Sequence, residues 1–238
     1  MTFLVRASWG AACCAPTLIP ARRDGGPGKP GPYRGIGASK VGLFGDARGY
    51  VRITPDMKIV EKAQLMSASE IDRTLQRLAH EIVEKSGGTK DLAMIGIRRR
   101  GVPLAQRIAQ AMRGIDGVDV PVGTLDITLY RDDLSKVASH AVMKSSDISF
   151  GVDNMNLVLV DDVLYTGRTI RAAMNGLFDL GRPKRVSLCV LIDRGWREMP
   201  IEAQFTGRVV QTSATEIIEV RLREIDNEER VVLVDRVD

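Results

Sequence analysis

The clearest pattern of apolar and polar positions in the chain is helical. Between Ser67 and Ser86, apolar residues recur at the spacing of one helix face, at Ile71, Leu75, Leu78, Ala79, Ile82 and Val83. Ser67 and Glu70 form a capping-box pattern at the start of this stretch, and Gly87-Gly88 follows its end. The pattern predicts one amphipathic helix from Ser67 to Ser86.

Short apolar runs of strand length follow this helix. Leu92 to Ile97 predicts a buried strand that leads into the turn 98–101, and Val118 to Leu129 predicts another strand. Between them, Pro103 suits the first turn of a helix whose inner face is Leu104, Ile108 and Met112. Strand, helix and strand therefore alternate in this half of the chain.

The second half of the chain repeats the alternation. Leu157 to Asp161 predicts a buried strand, about Thr166 to Leu180 a helix with Gly181 as its C-cap, and Arg185 to Ile192 a further strand. The tail predicts three short strands, near Arg208–Gln211, Ile217–Leu222 and Arg230–Val234. Alternating strands and helices favour right-handed crossovers and a mainly parallel sheet, so the fold class is α/β.

Composition divides the chain into two parts. Residues 1–56 hold 8 Lys and Arg against 3 Asp, a net charge of +5, with 10 of the 23 Gly and 6 of the 10 Pro. Such a segment buries too little apolar surface to offset its ordering entropy, so we expect a disordered leader and a folded domain over residues 57–238. Met57 opens the patterned sequence, so a misassigned translation start also explains the leader. The domain holds 26 basic and 27 acidic residues, so the overall charge of +4 does not indicate nucleic-acid binding.

Cysteine content and the length of the apolar runs exclude other classes. The cysteines are Cys13, Cys14 and Cys189, which show no metal-ligand spacing and fit a reducing cytosol. Arg6 interrupts the first apolar run, which disfavours a signal peptide. Because no apolar run is long enough to span a bilayer, we expect a cytoplasmic protein without membrane association.

The most informative stretch runs from Leu157 to Thr169. An apolar strand ends on two adjacent carboxylates, Asp161 and Asp162, and a Thr-Gly-Arg-Thr turn then leads into a helix. This order places the acids beside a helix N-terminus, where free backbone N–H groups attract phosphate. Carboxylates can bind hydroxyls or a cation at the same place. The stretch therefore suits a sugar phosphate.

Two other interpretations of the acids compete with this one. A Walker B strand also ends in acids, but the chain has no G-x-x-x-x-G-K-[ST] loop. Ordinary surface acids beside a capping Thr explain the pair alone equally well, but the adjoining Thr166–Thr169 turn favours a phosphate site. The turns 98–101 and 193–196 also follow strand ends, so all three loops are expected to converge on one cleft.

Residues 157–169 resemble the phosphoribosyl-pyrophosphate (PRPP) signature of type I phosphoribosyltransferases. Together with Asp126–Ser135 and the Asp193-Arg194-Gly195, Arg197-Glu198 and Pro200-Ile201 groups, they resemble the PyrR family. That family comprises pyrimidine operon attenuation regulators that are also uracil phosphoribosyltransferases. The resemblance covers about Met57 to the C-terminus and leaves the leader out. It implies the type I phosphoribosyltransferase fold, with a mainly parallel central sheet, flanking helices and a small hood.

The resemblance also implies roles for individual residues. The catalytic residues would be Asp161, Asp162, Arg131 and Arg100, with the two acids on the ribose hydroxyls. The PRPP- and UMP-binding stretch would be Val160, Asp161, Asp162, Val163, Leu164, Tyr165, Thr166, Gly167, Arg168 and Thr169. The pyrophosphate loop would be Arg99, Arg100 and Gly101. Uracil would lie against Val190, Ile192, Asp193 and Arg194.

A flap is expected after the second predicted strand. Residues 135–151 show no sustained period and predict a long loop. Tyr130 and Arg131 match the family's flexible loop, which closes over PRPP and excludes water. The resemblance implies Mg²⁺ as the cofactor, held mainly by PRPP oxygens and water, with no metal site made by the protein. Uracil would displace pyrophosphate from the ribose to give UMP.

The family's second activity implies binding of leader mRNA from pyrimidine genes, dependent on UMP. The candidates are Arg73, Arg77 and His80, spaced i, i+4 and i+7 on the first helix, and Arg197 and Arg208. An ordinary solvated helix face explains the same spacing. Glu202 stands where an RNA-binding member is expected to have a basic residue. A dedicated uracil, hypoxanthine or orotate phosphoribosyltransferase without RNA binding therefore stays an alternative. Family members form homodimers and higher homo-oligomers, so one of these states is expected.

Overall fold

The centre of the fold is a five-stranded parallel sheet. The protein is represented by a computed structural model that describes residues 58–130 and 146–237. The parallel strands are β2 (Leu92–Ile97), β3 (Val122–Leu125), β4 (Asn156–Leu164), β5 (Arg185–Asp193) and β6 (Phe205–Val209). They lie in the order β3-β2-β4-β5-β6, which places β4 at the middle of the sheet. The predicted type I phosphoribosyltransferase architecture, α/β with a mainly parallel central sheet, is confirmed.

A second, three-stranded sheet accompanies the parallel one. It consists of β1 (Lys58–Ser67), β7 (Glu216–Arg221) and β8 (Arg230–Val237), with β8 antiparallel to both neighbours. We call β1, β7 and β8 the small sheet. The short helix α4 (Arg223–Asp226) connects β7 to β8. The sequence pattern predicted β7 and β8 but gave no sign of β1.

Helices cover both faces of the parallel sheet. α1 (Ala68–Ser86) starts at the predicted capping box, where the Glu70 carboxylate accepts the Ser67 N–H at 2.8 Å. α2 (Gly101–Asp116) follows β2, and α3 (Arg168–Leu180) follows β4. Each helix presents one apolar face to the sheet, as the spacing predicted.

The parallel strands separate two apolar cores. Alternate residues of β4 point to opposite faces, so Val158 and Val160 pack with α1 and α2, whereas Leu157 and Leu159 pack with α3. Cys189 and Leu191 of β5 join the first core and Leu188 and Val190 join the second. Because both faces are covered, β2 and β4 are continuous apolar runs rather than alternating ones.

The predicted strand from Val118 to Leu129 is wrong in its length. The strand β3 ends at Leu125, because the Asp126 carboxylate accepts both the backbone N–H and the hydroxyl of Thr128, at 2.9 and 2.6 Å. This local bonding turns the chain into one turn of 3-10 helix, Thr128–Tyr130. β6 also differs, since it begins at Phe205 and ends at Val209 rather than covering Arg208–Gln211.

Some predictions lie outside the described residues. These are the leader, residues 1–56, and most of the flap predicted over 135–151. At the described end of that flap, Asp147 forms a backbone bridge with Thr124 of β3. Within the parts of the chain that the structure describes, no helix is both long and apolar enough to cross a membrane.

A close backbone approach fixes α2 against β4. A Cβ atom placed on Gly101 would lie 2.2 Å from the Val160 carbonyl oxygen, so only glycine fits at the first position of α2. Gly96 of β2 is equally constrained, with the backbone of Val102 at 2.5 Å from its ideal Cβ position. The start of α2 therefore rests directly on the two central strands.

We expect the substitution Gly101→Ala to lower the free energy of unfolding by about 2 kcal/mol or more, because the new methyl group must push α2 away from β4. Denaturant unfolding measures this change. The matched control is Gly114→Ala in the same helix, where no atom lies within 4 Å of the added Cβ. That control should gain roughly 0.5–1 kcal/mol through helix propensity. Equal stabilities of the two variants would contradict the close approach.

Cys189 provides a second test of the core. It is 1% exposed on β5, and burial raises the pKa of its thiol to about 12. Because the thiolate is the reactive form, Cys189 should resist iodoacetamide at pH 8 in the folded protein and react fully in denaturant. Mass spectrometry of the peptide that contains Cys189 measures both. Rapid native alkylation would show that β5 is accessible.

Candidate active site

The two predicted acids lie near the carboxyl end of β4. Asp161 is buried, with 7% of its surface exposed, and Asp162 is half-buried. Each carboxylate accepts the N–H of the next residue, Asp162 at 3.0 Å and Val163 at 2.9 Å respectively. These bonds hold the carboxylates against the strand.

Two opposing effects act on Asp162. Burial raises the pKa of its carboxyl group above the ordinary value, while the nearby Arg100 guanidinium opposes that rise. The charge of Asp162 is therefore sustained partly by Arg100, which reaches it from the start of α2. The structure thus brings together two of the predicted catalytic residues, one from β4 and one from the start of α2.

The turn after β4 leads into the N-terminus of α3. Gly167 is the N-cap residue, with a φ of 91° in the left-handed region, which favours glycine. The Thr166 hydroxyl accepts the Arg168 N–H at 3.3 Å. The first backbone N–H groups of a helix have no intrahelical acceptor, so this turn is shaped to bind an anion.

The loop after β5 is tied to this turn by backbone and side-chain bonds. The Thr166 carbonyl accepts the N–H groups of Glu198 and Met199, at 3.0 and 3.2 Å, and Arg168 forms an ion pair with Glu198 at 2.5 Å. Met199 and Ile201 also pack against Gly167. The two loops therefore form one connected unit.

Arg197 bonds within its own loop and connects that loop to Tyr165. Its guanidinium donates to the carbonyl oxygens of Ile201, Tyr165 and Gly195, at 3.0, 2.9 and 3.0 Å. It also forms an ion pair with Asp193 at 2.5 Å. The prediction that Arg197 contacts RNA is not tested by these bonds, but they commit its donors to the loops around the site.

The predicted uracil-binding residues fall into two groups. Val190 and Ile192 are fully buried in β5, where they pair with β4 and β6, whereas Asp193 lies at the strand end. Arg194 is 6% exposed; its guanidinium lies over the Tyr165 ring at 4.0 Å and donates to the Glu216 carbonyl at 2.8 Å. Burial lowers the pKa of Arg194. Its side chain thus braces Tyr165 and the 212–216 loop.

Trp196, on the outer side of the loop, also bonds to the 212–216 loop. Its indole N–H donates to the Thr212 carbonyl at 2.7 Å, and 54% of the residue is exposed.

The predicted pyrophosphate loop lies beside the acids. Gly101 packs on β4 as described above, Arg99 is exposed, and Arg98 and Arg99 are joined by a cis peptide bond. Arg100 donates to both carboxylate oxygens of Asp226 in α4, from Nε at 3.2 Å and from Nη2 at 2.9 Å. Nothing in the sequence signalled Asp226, because it stands 126 residues away in a stretch without a motif.

Tyr130 is not placed beside the acids. Its ring packs on Gly176 of α3, and its hydroxyl donates to Asp179 at 2.7 Å near the far end of that helix. This bond raises the pKa of the Tyr130 phenol. Arg131, the other predicted flexible-loop residue, lies outside the described residues.

The RNA-binding candidates on α1 share a surface with β6. Arg73, Arg77 and Arg208 line one open cleft of about 310 Å³, which also contains Glu70, while His80 is exposed nearby on the same helix. Arg77 donates to the carbonyl oxygens of Thr206 and Gly207, at 3.1 and 2.6 Å. The structure therefore joins candidates from two distant parts of the sequence.

The described ranges, 58–130 and 146–237, contain no cluster of metal-binding side chains. There, no group of three or more His, Cys, Asp or Glu side chains is close enough together to hold a metal ion. Asp161 and Asp162 are oxygen donors of the kind that Mg²⁺ prefers, and a phosphorylated ligand can supply the remaining oxygens.

Comparisons with known proteins agree with this geometry. The family described as "Phosphoribosyl transferase domain" matches residues 63–225. The "Bifunctional protein PyrR" of Pelotomaculum thermopropionicum is 55% identical over 175 residues, which cover 74% of this chain and 97% of that protein. The protein of the same name from Thermus thermophilus is 53% identical over 175 residues, with the same coverage.

Solved structures support the fold alone, because their sequence identities are low. A hypoxanthine-guanine phosphoribosyltransferase from Bacillus anthracis has a TM-score of 0.56 at 18% identity, covering 74% of this chain and 99% of its own. A hypoxanthine phosphoribosyltransferase from Trypanosoma cruzi in complex with IMP has a TM-score of 0.56 at 16% identity, covering 74% and 91%. From the domain match and the identities above 50%, this chain belongs to the PyrR family of phosphoribosyltransferases.

Proposed function

We propose that the protein transfers the phosphoribosyl group of PRPP to uracil, giving UMP and pyrophosphate, and regulates pyrimidine genes by binding their leader mRNA when UMP is bound. The enzymatic part rests on the convergence of three loops at one edge of the parallel sheet. β4 and the turn that follows it supply a pair of acids and a helix N-terminus, the start of α2 supplies Arg100, and the loop after β5 braces the turn. Membership of the PyrR family supports both activities.

The reaction needs positioning and charge stabilisation more than a protein nucleophile. Asp161 and Asp162 would accept hydrogen bonds from the ribose hydroxyls, and the turn 165–169 would bind the 5′-phosphate at the N-terminus of α3. As the bond from C1 to pyrophosphate breaks, the ribose becomes positively charged and the leaving group gains negative charge. The Arg100 guanidinium would stabilise that negative charge.

Mg²⁺ is part of the proposal as a companion of PRPP. Asp161 and Asp162 are the residues whose oxygens suit it, with the remaining ligands from PRPP and water. The ion would neutralise part of the diphosphate charge. Arg131 would join Arg100 at the pyrophosphate when the flap closes.

The base would lie at the end of β5. Val190 and Ile192 would support that strand end from its buried side, and Arg194 would fix Tyr165, which begins the phosphate turn. Since the structural likeness to hypoxanthine-using enzymes concerns the fold alone, rates with uracil, hypoxanthine and orotate test the choice of base. A higher efficiency with hypoxanthine or orotate would refute uracil as the substrate.

The RNA-binding part rests on the cleft formed by Arg73, Arg77 and Arg208. Two elements, α1 and β6, present these cations on one surface, which an RNA phosphate backbone could contact. Arg77 and Arg208 are anchored by backbone carbonyls, of residues 206–207 and of Leu65, which fixes their orientation. We also infer that the protein acts in the cytoplasm as a homodimer or larger homo-oligomer; light scattering tests the assembly.

We expect Asp162→Asn to lower the rate of UMP formation at least about tenfold, equivalent to ~1.4 kcal/mol of barrier, because the amide accepts ribose hydroxyl bonds more weakly. A radiometric assay with uracil, PRPP and Mg²⁺ measures this rate. Asp119→Asn is the matched control, since Asp119 is exposed and its ion-pair partner among the described residues is Arg113. A wild-type rate for Asp162→Asn would remove this residue from the reaction.

We expect Arg73→Ala to weaken UMP-dependent binding of pyrimidine leader RNA at least about threefold and to lower the salt dependence by about one ion, because one phosphate contact is lost. Gel shifts at several salt concentrations measure both. UMP synthesis should not change, and Arg113→Ala, on α2, serves as the control cation. If neither the variants nor the wild-type protein binds RNA, the protein is a dedicated phosphoribosyltransferase.

A further inference from the structure

We propose that Asp226 is a positioning residue for the diphosphate of PRPP, through the orientation that it imposes on Arg100. The inference rests on the proposed function, because it assigns Arg100 to the pyrophosphate. It adds a residue from α4, the connection within the small sheet, to a site otherwise built from loops of the parallel sheet.

The geometry of the pair is that of a side-on clamp. The Arg100 Nε and Nη2 atoms donate to the two separate oxygens of the Asp226 carboxylate, at 3.2 and 2.9 Å. A bidentate arrangement of this kind fixes the plane of the guanidinium as well as its position. One edge of Arg100 is thereby held.

Asp226 is itself held from behind. Its Oδ2 atom also accepts the backbone N–H of Leu222, the N-cap residue of α4, at 3.0 Å. The carboxylate is therefore a rigid part of the β7–α4 turn. Arg100 and the Leu222 N–H together hold the pKa of Asp226 below its ordinary value, which keeps it ionised at neutral pH.

The opposite edge of Arg100 remains available. A guanidinium has more N–H donors than one carboxylate can accept, and across residues 58–130 and 146–237 Asp226 is the only ion-pair partner of Arg100. The side chain is 36% exposed, and its charge acts on Asp162. Arg100 therefore keeps donors that Asp226 does not use, and its charge lies near the acid that would hold the ribose.

Arg107, in the same helix, shows what a purely structural arginine looks like. Its Nε and Nη2 atoms donate hydrogen bonds to the Glu224 carboxylate, each at 2.9 Å, and its Nη1 atom donates to Glu229. Both edges of the guanidinium are therefore bound, and only 19% of the side chain is exposed. Arg100 has the first of these two clamps and lacks the second. The missing acceptor corresponds to a ligand anion, and a diphosphate has the oxygens to fill it.

The test is kinetic and compares Asp226→Asn with Glu228→Gln. The first change removes the charge that clamps Arg100, while its amide oxygen can still accept the Leu222 N–H. The second removes a charge from the same turn, where Glu228 pairs with Arg221 and Arg230 instead. Circular dichroism and thermal unfolding establish that both variants are folded. If the Asn variant unfolds, Asp226→Glu replaces it, because it keeps the charge and displaces the clamp.

We expect Asp226→Asn to raise the KM for PRPP, and for pyrophosphate in the reverse reaction, at least about fivefold, because Arg100 loses its orientation. The KM for uracil and the Kd for UMP should stay within about twofold of wild type, since neither ligand carries a diphosphate. Glu228→Gln should match wild type in all four constants. In an Arg100→Ala background, Asp226→Asn should add nothing further, because the clamp has no target.

The inference would be overturned if the constants for PRPP and pyrophosphate were unchanged or if the KM for PRPP fell. It would also be overturned if the Kd for UMP rose by the same factor as the KM for PRPP. Calorimetric binding of PRPP with Mg²⁺ separates it from the proposed function. If wild type binds PRPP but uses no uracil, the choice of base fails, and the Kd of Asp226→Asn for PRPP still decides the role of Asp226.

Discussion

The site depends on the contact between the first residue of α2 and the carbonyl oxygen of Val160. Without a side chain, Gly101 allows α2 to begin directly against β4, one residue before the buried Asp161. This approach places the Arg100 side chain within electrostatic reach of Asp162. A longer distance would weaken that interaction, because Coulomb energy falls with separation and water would enter between the charges. The glycine thus determines the electrostatics as well as the packing.

The second constraint is the bonding between the phosphate turn and the loop after β5. Arg197 donates to three carbonyl oxygens and to Asp193, and the backbone of 198–199 donates to Thr166. Loops usually carry the mobile parts of a fold, but these two are tied together by the bond from Arg197 to the Tyr165 carbonyl, by the Arg168–Glu198 ion pair and by the backbone bonds to Thr166. A nucleotide that contacts the turn and the base pocket together would therefore meet a site that is already organised, which lowers the entropic cost of binding. The same bonds explain why Arg197 needs testing in nucleotide binding before its effect on RNA is interpreted.

The sequence predicted the elements that depend on local pattern. The apolar runs of β2, β4 and β5 and the capping box of α1 were readable because periodicity and caps are short-range signals. β1 was missed because its apolar residues do not alternate regularly, and its pairing with β8 contains two register shifts. The predicted strand 118–129 was too long because Asp126 bonds Thr128 locally and ends it. The loops of the site were predicted from strand ends, whereas their partners Asp226 and Glu198 depend on tertiary contacts that no local pattern encodes.

The small sheet contacts the parallel-sheet part of the fold through the Asp226–Arg100 pair, close to Asp162. Burial disfavours the charged form of Asp162, and Arg100 offsets part of that cost. If the Arg100 guanidinium moved freely, it would offset the burial cost of Asp162 only part of the time. The strength of its interaction with Asp162 would also differ from one orientation to the next. The Asp226 clamp removes this freedom, yet it leaves donors unused because a carboxylate covers only one edge of the guanidinium. An anion that binds at the open edge adds its charge to a network in which Asp162 and Asp226 already balance Arg100. Coulomb repulsion between that anion and Asp162 is weaker when a divalent cation enters with the anion, and this charge balance supports the proposal that PRPP binds together with Mg²⁺.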